Sequence, residues 1–167
     1  QRFDSATIYL TQEAMSHVMS EGTGRSAYSH VPANVRLAGK TGTTNDLRDS
    51  WFAGFSDDLV AVSWIGRDDN SQTRLTGATG ALQVWNAFMG QAHPQSLSAV
   101  PPGGVVSAWV DPATGLGSDP SCEGSVEFPF RAGYEPLPGP GCRPVIDTEV
   151  LRDGANRVLD TIRDWLR

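Results

Sequence analysis

The chain has 167 residues, of which 39% are apolar and 19% charged, a composition typical of one folded domain with a moderate core. Its formal charge of −6 argues against a nucleic-acid surface, because such surfaces depend on clustered basic residues. The sequence contains neither an apolar run long enough to span a membrane nor a signal-peptide pattern. It opens on an apparent strand without an initiator Met, which indicates a piece of a longer polypeptide.

The first predicted elements are the end of a strand, at residues 7–10, and a helix. Thr11 is the predicted N-cap of this helix, and Gly22 is its predicted stop. The apolar residues between them recur at helical spacing, at Ala14, Met15, Val18 and Met19.

Three short strands are predicted next, at residues 35–44, 50–55 and 59–66. The last two are joined across a tight Asp57-Asp58 turn, so the connection lengths predict an antiparallel meander. The third strand is apolar on both faces, which indicates that other elements cover the sheet. The next helix is the predicted cover, with an apolar stripe at Ala81, Val84, Trp85 and Phe88.

From residue 94 to residue 144 the composition changes to Pro and Gly with little periodicity, which predicts an irregular appendage. Cys122 and Cys142 are the only cysteines and lie in this segment. We expect them to form a disulfide in an oxidising compartment, with a pair of free thiols as the alternative. Their spacing, with no paired His nearby, does not match a zinc site, and no other metal or cofactor is expected. A final amphipathic helix is predicted to begin at Asp147 or Thr148.

Lys40, the only lysine, lies in the stretch LAGKTGTTND and raises the question of a phosphate loop. Such a loop needs Gly where this chain has Asn34, and a helix where this chain has a strand-like run, so we reject a nucleotide site. The alternative is an extended Lys40–Thr43 segment at the edge of a cleft. Thr41 and Thr43 would share one face and bind a carboxylate, while Lys40 would supply positive charge from the opposite face. From this tetrapeptide alone, a solvated lysine in an ordinary strand is an equally open interpretation.

Five stretches together resemble the C-terminal half of the transpeptidase domain of bifunctional class A penicillin-binding proteins. Lys40-Thr41-Gly42-Thr43 resembles the third signature motif of penicillin-binding proteins and serine β-lactamases. The other stretches are GTGR at 22–25, SWFAGF at 50–55, WIGRDDN at 64–70 and TGATGA at 76–81. The segment after residue 93 is similar, more loosely, to the C-terminal appendage of the 1b type from Gram-negative bacteria.

The resemblance implies an α+β fold, with an antiparallel sheet flanked by helices, of which only the C-terminal part is present. Residues 1–93 would form the half transpeptidase domain, and residues 94–167 the appendage. The implied reaction is peptidoglycan cross-linking, in which a serine attacks the D-Ala-D-Ala end of a stem peptide and the acyl group passes to a neighbouring amine. β-Lactam antibiotics would acylate the same serine.

The resemblance also implies roles for individual residues. Lys40 would assist proton transfer and electrostatics beside the nucleophile. Thr41 and Thr43, with Gly42 and Thr44 in the same segment, would hold the substrate carboxylate, and the backbone N–H of Thr43 would form half of an oxyanion hole. No cofactor takes part.

The chain departs from the whole enzyme because it contains no Ser-x-x-Lys nucleophile motif and no candidate for the second motif, Ser-x-Asn. The fragment alone is therefore predicted to be inactive, with the remaining part of the transpeptidase domain as its partner, in one polypeptide or a separate chain. The family implies a periplasmic location, with a glycosyltransferase and an inner-membrane anchor upstream. The alternative from another class is a non-catalytic module that binds wall peptides or a partner. A β-lactamase would not account for SWFAGF and TGATGA.

Overall fold

A computed structural model describes residues 2–142. Its elements, in chain order, are the helix α1 (Ser5–Ser20), a short 3-10 helix (Arg25–Ser29), the strands β1 (Ala38–Thr43), β2 (Ser50–Phe55) and β3 (Val60–Ile65), the helix α2 (Ala81–Ala92), and the strands β4 (Val105–Asp111), β5 (Leu116–Gly117) and β6 (Val126–Arg131). A further 3-10 turn (Asn45–Leu47) lies between β1 and β2. The helix predicted from Asp147 or Thr148 lies outside the described residues.

The described chain forms two compact units. One contains residues 2–107 and 129–134, and the other contains residues 108–128 and 135–142. The boundary expected after residue 93 stays a prediction.

The first sheet is an antiparallel meander in the order β1-β2-β3, as the connection lengths predicted. One of its faces is covered by α2, since the rings of Phe52 on β2 and Trp85 on α2 lie 4.8 Å apart. This contact belongs to a buried apolar cluster that extends to the end of α1. Its members are Met19, Ala27, Val31, Leu37, Phe52, Ala81, Leu82, Trp85 and Met89. The fold is α+β with an antiparallel sheet, as the resemblance implied.

The predicted strand at residues 7–10 is wrong, because these residues belong to α1. The helix begins about two turns earlier than expected. The Asp4 carboxylate accepts a hydrogen bond from the Thr7 backbone N–H at 3.0 Å and caps the first turn. Thr11 lies inside the helix, where its hydroxyl donates to the Thr7 carbonyl, and is not the N-cap. The helix ends at Ser20, two residues before the predicted stop at Gly22.

The cap at Asp4 predicts a pH dependence of stability. Hydrogen bonds from the Thr7 N–H and hydroxyl, together with Arg131, lower the pKa of Asp4 to about 2. The pKa of an Asp side chain in an unfolded chain is about 3.9. The ionised cap therefore stabilises the fold fully above that pH, and this stabilisation is lost as the pH falls through about 2. We therefore expect Asp4→Ala to lower the thermal midpoint at pH 7 and this difference to shrink below about pH 4. A difference between the two proteins that stays constant across this acid range would contradict the assignment.

The buried face of α2 differs from the predicted stripe. Ala81 and Trp85 are buried as expected, but Val84 and Phe88 are 54% and 53% exposed. Leu82, Asn86 and Met89 are buried instead. The Asn86 amide donates to the Ser26 carbonyl at 3.0 Å, so a polar contact helps to set the rotation of the helix. The spacing of apolar residues alone does not predict such a contact.

The Pro- and Gly-rich segment contains a second sheet that the sequence analysis did not predict. Its strand order is β5-β4-β6, and β4 pairs antiparallel with β5. Cys122 and Cys142 are joined by a disulfide across 20 residues of this segment. The segment therefore holds both a short sheet and a covalent link within its loops.

Neither α-helix among the described residues combines the length and apolar composition needed to cross a bilayer.

Candidate active site

Lys40, Thr41 and Thr43 lie on β1, an edge strand of the described sheet. The register places Thr41 opposite Phe52 and Thr43 opposite Ser50. Phe52 packs on α2, and the Ser50 hydroxyl accepts a hydrogen bond from the backbone N–H of the first α2 residue. Thr41 and Thr43 therefore share the sheet face that α2 covers, and Lys40 lies on the opposite face.

The Lys40 side chain reaches around the edge of β1 to the threonine next to it. Its ammonium Nζ lies 3.0 Å from the Thr41 carbonyl oxygen, to which it donates, and 3.4 Å from Thr41 Oγ1. The positive charge and the hydroxyl thus meet at one edge although the two residues start on different faces. An anion at this edge would contact both groups.

The Thr43 hydroxyl is oriented by a turn that precedes α2. Its Oγ1 accepts a hydrogen bond from the Gly77 backbone N–H at 2.9 Å, which leaves the hydroxyl proton for another acceptor. A Cβ at Gly77 would lie 2.7 Å from the Trp51 carbonyl oxygen and 2.8 Å from that of Gly42. Glycine is therefore required for this turn to approach the strand closely.

The backbone of Thr43 also presents a donor at the outer edge of β1. The Thr44 N–H donates to the Asp49 carbonyl at 3.1 Å, so it points toward β2. Backbone groups alternate in direction along a strand, so the Thr43 N–H points away from β2. The Thr41 carbonyl has the same direction, in agreement with its contact to Lys40 at that edge. The edge therefore combines an ammonium group, two hydroxyls and an outward N–H.

The structure does not bring the Thr44 hydroxyl into this group. Thr44 Oγ1 accepts from the Asp49 N–H at 2.8 Å and donates to the Asp49 carboxylate at 3.3 Å. These bonds close the connection between β1 and β2. The side chain of Thr44 therefore fixes the end of the motif strand instead of joining Thr41 and Thr43.

Sequence reasoning missed two residues that contact this edge. Thr23, after α1, has its Oγ1 2.8 Å from Thr41 Oγ1, and Gly77 holds Thr43 as described above. Both lie in stretches that carried the family resemblance, GTGR and TGATGA, but nothing in either stretch indicated a contact with β1.

A cavity of about 350 Å³ lies elsewhere, between α1 and the start of β1, and Lys40 does not line it. Glu13 and Arg36 form an ion pair in its wall. Burial and the neighbouring Glu13 raise the pKa of Tyr9, which also lines the cavity. The motif edge and this cavity are therefore separate features of the same unit.

No family model matches the chain, but individual penicillin-binding proteins are similar to it in sequence and in structure. Penicillin-binding protein 1B of Escherichia coli is 43% identical over 103 residues, which are 62% of this chain and 12% of that protein. Penicillin-binding protein 1B of Vibrio cholerae is 40% identical over 137 residues, which are 82% of this chain and 18% of that protein. The crystal structure of penicillin-binding protein 1A from Haemophilus influenzae matches with a TM-score of 0.70 and 28% identity, covering 81% of this chain and 21% of that one. The chain thus spans roughly a fifth or less of the length of these relatives.

Proposed function

We propose that this chain, which belongs to the class A penicillin-binding proteins as part of their transpeptidase domain, supplies the carboxylate-binding edge of a peptidoglycan D,D-transpeptidase. The observation that carries the proposal is the convergence of the Lys40 ammonium and the Thr41 hydroxyl at the exposed edge of β1, beside Thr43. The substrate would be the D-Ala-D-Ala end of a stem peptide, and β-lactam antibiotics would compete with it.

Recognition of the terminal carboxylate follows from the hydrogen-bonding state of these groups. The Thr43 oxygen already accepts from the Gly77 N–H, so its proton is left to donate to an acceptor such as a carboxylate. Lys40 adds a positive charge next to Thr41 in a chain whose formal charge is −6. Charge-assisted hydrogen bonds of this kind are stronger than neutral ones, which favours an anionic ligand.

The outward N–H of Thr43 is suited to stabilise the reacting carbonyl of the substrate. An extended substrate that pairs along the open edge of β1 would bring its scissile carbonyl near this donor. A preoriented N–H at that position stabilises the negative charge that develops on the carbonyl oxygen during acylation. Lys40 would act beside the nucleophile, where it assists proton transfer.

The nucleophilic serine would come from an upstream segment of the same gene product, since this chain contains no Ser-x-x-Lys motif. The sheet face on which Lys40 lies supports this arrangement, because it is apolar and open: Val62 and Trp64 are 60% and 50% exposed there. Contiguous exposed apolar surface of this kind marks an interface. The remaining part of the transpeptidase domain would cover this face and bring the serine to Lys40.

The proposed location is the periplasm, with an upstream glycosyltransferase and inner-membrane anchor in the parent protein. The disulfide between Cys122 and Cys142 suits an oxidising compartment of this type. Both the 1A and the 1B names occur among the relatives, and the proposal rests on what the two types share.

Labelling of the full-length protein with a fluorescent penicillin tests this proposal. After proteolysis and peptide mapping, we expect the label on a serine outside residues 1–167, and none on this chain when it is incubated alone. Excess unlabelled penicillin is the control and should remove the signal. Label on a peptide from within this chain would overturn the assignment of the nucleophile, and a full-length protein that takes up no label would overturn the function.

A further inference from the structure

Thr23 is held against the motif strand by a tightly packed connection between α1 and the short 3-10 helix. Its neighbours are glycines whose N–H groups donate to carbonyls of the last turns of α1, Gly22 to His17 and Gly24 to Val18. A Cβ on Gly24 would lie 2.7 Å from the Met19 sulfur, which belongs to the buried core. The connection therefore has little freedom, and the Thr23 hydroxyl is fixed 2.8 Å from that of Thr41.

Thr23, Thr41 and Lys40 form a small polar cluster, and the positions of its protons determine whether the Thr41 hydroxyl can donate a hydrogen bond to a ligand. A hydroxyl has one proton to donate and two lone pairs that accept. The Lys40 ammonium approaches one lone pair of Thr41 Oγ1 at 3.4 Å. When Thr23 donates its proton to the other lone pair, both acceptor positions of Thr41 are occupied and its own proton points away from the cluster. A carboxylate bound at the edge accepts only, so its presence favours this polarity.

We propose that Thr23 is a positioning residue for carboxylate recognition: its hydroxyl donates to Thr41 Oγ1 and thereby directs the Thr41 proton toward the ligand carboxylate. The proposal rests on the transpeptidase function proposed above and adds a residue from outside the signature motif. The two threonines of the motif would then be oriented from two sides, Thr43 by the Gly77 N–H and Thr41 by Thr23.

Acylation of the full-length protein by a penicillin and by its carboxylate methyl ester tests the role of Thr23. Thr23→Val replaces the hydroxyl with a methyl group of similar size. We expect this variant to react about tenfold more slowly with the free acid, while the rate with the ester changes by less than about twofold. Thr23→Ser, which restores the hydroxyl, should return most of the rate. Thr11→Val, a matched change on the exposed side of α1, should leave both rates unchanged.

A double-mutant cycle separates an effect through Thr41 from a direct contact with the ligand. If Thr23 acts through Thr41, Thr23→Val should cause no further loss in a Thr41→Val background. The proposal is overturned if the two losses add in full, if Thr23→Val acylates with wild-type preference for the free acid, or if Thr23→Ser is as impaired as Thr23→Val. Failure of the wild-type protein to acylate at all would instead defeat the transpeptidase function on which the proposal rests.

Discussion

Replacing Lys40 with Met in the full-length protein is expected to slow acylation by penicillin by about 10²- to 10⁴-fold. Met keeps most of the side-chain length but removes the charge and the protons. This decrease in rate is that expected from losing a positioned proton-transfer group, together with the loss of positive potential at the proposed carboxylate-binding edge of β1. Stopped-flow or gel-based labelling with a fluorescent penicillin measures the rate over this range.

A second variant of Lys40 separates the effect of its charge from that of proton transfer, and a variant of Arg131 serves as the control. Lys40→Arg keeps the charge, but its guanidinium does not give up a proton in a protein. We expect this variant to retain much of the initial binding of penicillin and to lose most of the acylation rate. Arg131→Met removes one positive charge at the N-terminus of α1, where Arg131 faces Asp4, and should change neither quantity. A Lys40→Met protein that acylates at the wild-type rate would refute the proposed role.

Two strands of the first sheet, β2 and β3, could be predicted because both are short runs rich in aromatic and apolar residues and are joined by a tight turn. Residues 50–55 were predicted and found as β2, and β3 differs from its prediction by one residue at each end. The start of α1 could not be predicted in the same way. The run Thr7-Ile8-Tyr9 contains β-branched and aromatic residues that favour a strand, but the cap at Asp4 and packing against the rest of the unit override this local preference.

The candidate site could be predicted only where the motif itself carries the chemistry. Lys40, Thr41 and Thr43 follow from four consecutive residues and the alternation of a strand. Thr23 and Gly77 reach the same strand from 18 and 34 residues away, through loops whose paths depend on tertiary packing. Such contacts leave no periodic signal in a single sequence. For the same reason the hydrogen bond between the Thr44 hydroxyl and the Asp49 N–H could not be predicted from the sequence.

Replacement of Trp85 with Ala is expected to cause the largest loss of stability in this chain. Trp85 is 1% exposed, its ring centroid lies 4.8 Å from that of Phe52, and its indole N–H donates to the Ala61 carbonyl at 3.0 Å. Removing the ring leaves a cavity between α2 and the sheet and takes away the indole hydrogen bond to the Ala61 carbonyl. Large-to-small changes of this kind lower the free energy of unfolding by about 3 to 5 kcal/mol. Urea denaturation of the full-length protein, followed by circular dichroism, measures the change.

Phe88→Ala is the matched control, because both side chains are aromatic, both lie on α2, and the sequence pattern placed them on the same stripe. Phe88 is 53% exposed, so its loss should change the free energy of unfolding by less than about 1 kcal/mol. Equal losses from the two variants would mean that α2 is packed on two faces in the full-length protein. In that case the stripe predicted from sequence would describe the whole enzyme, and the surface around Phe88 would be a second place where the rest of the transpeptidase domain docks.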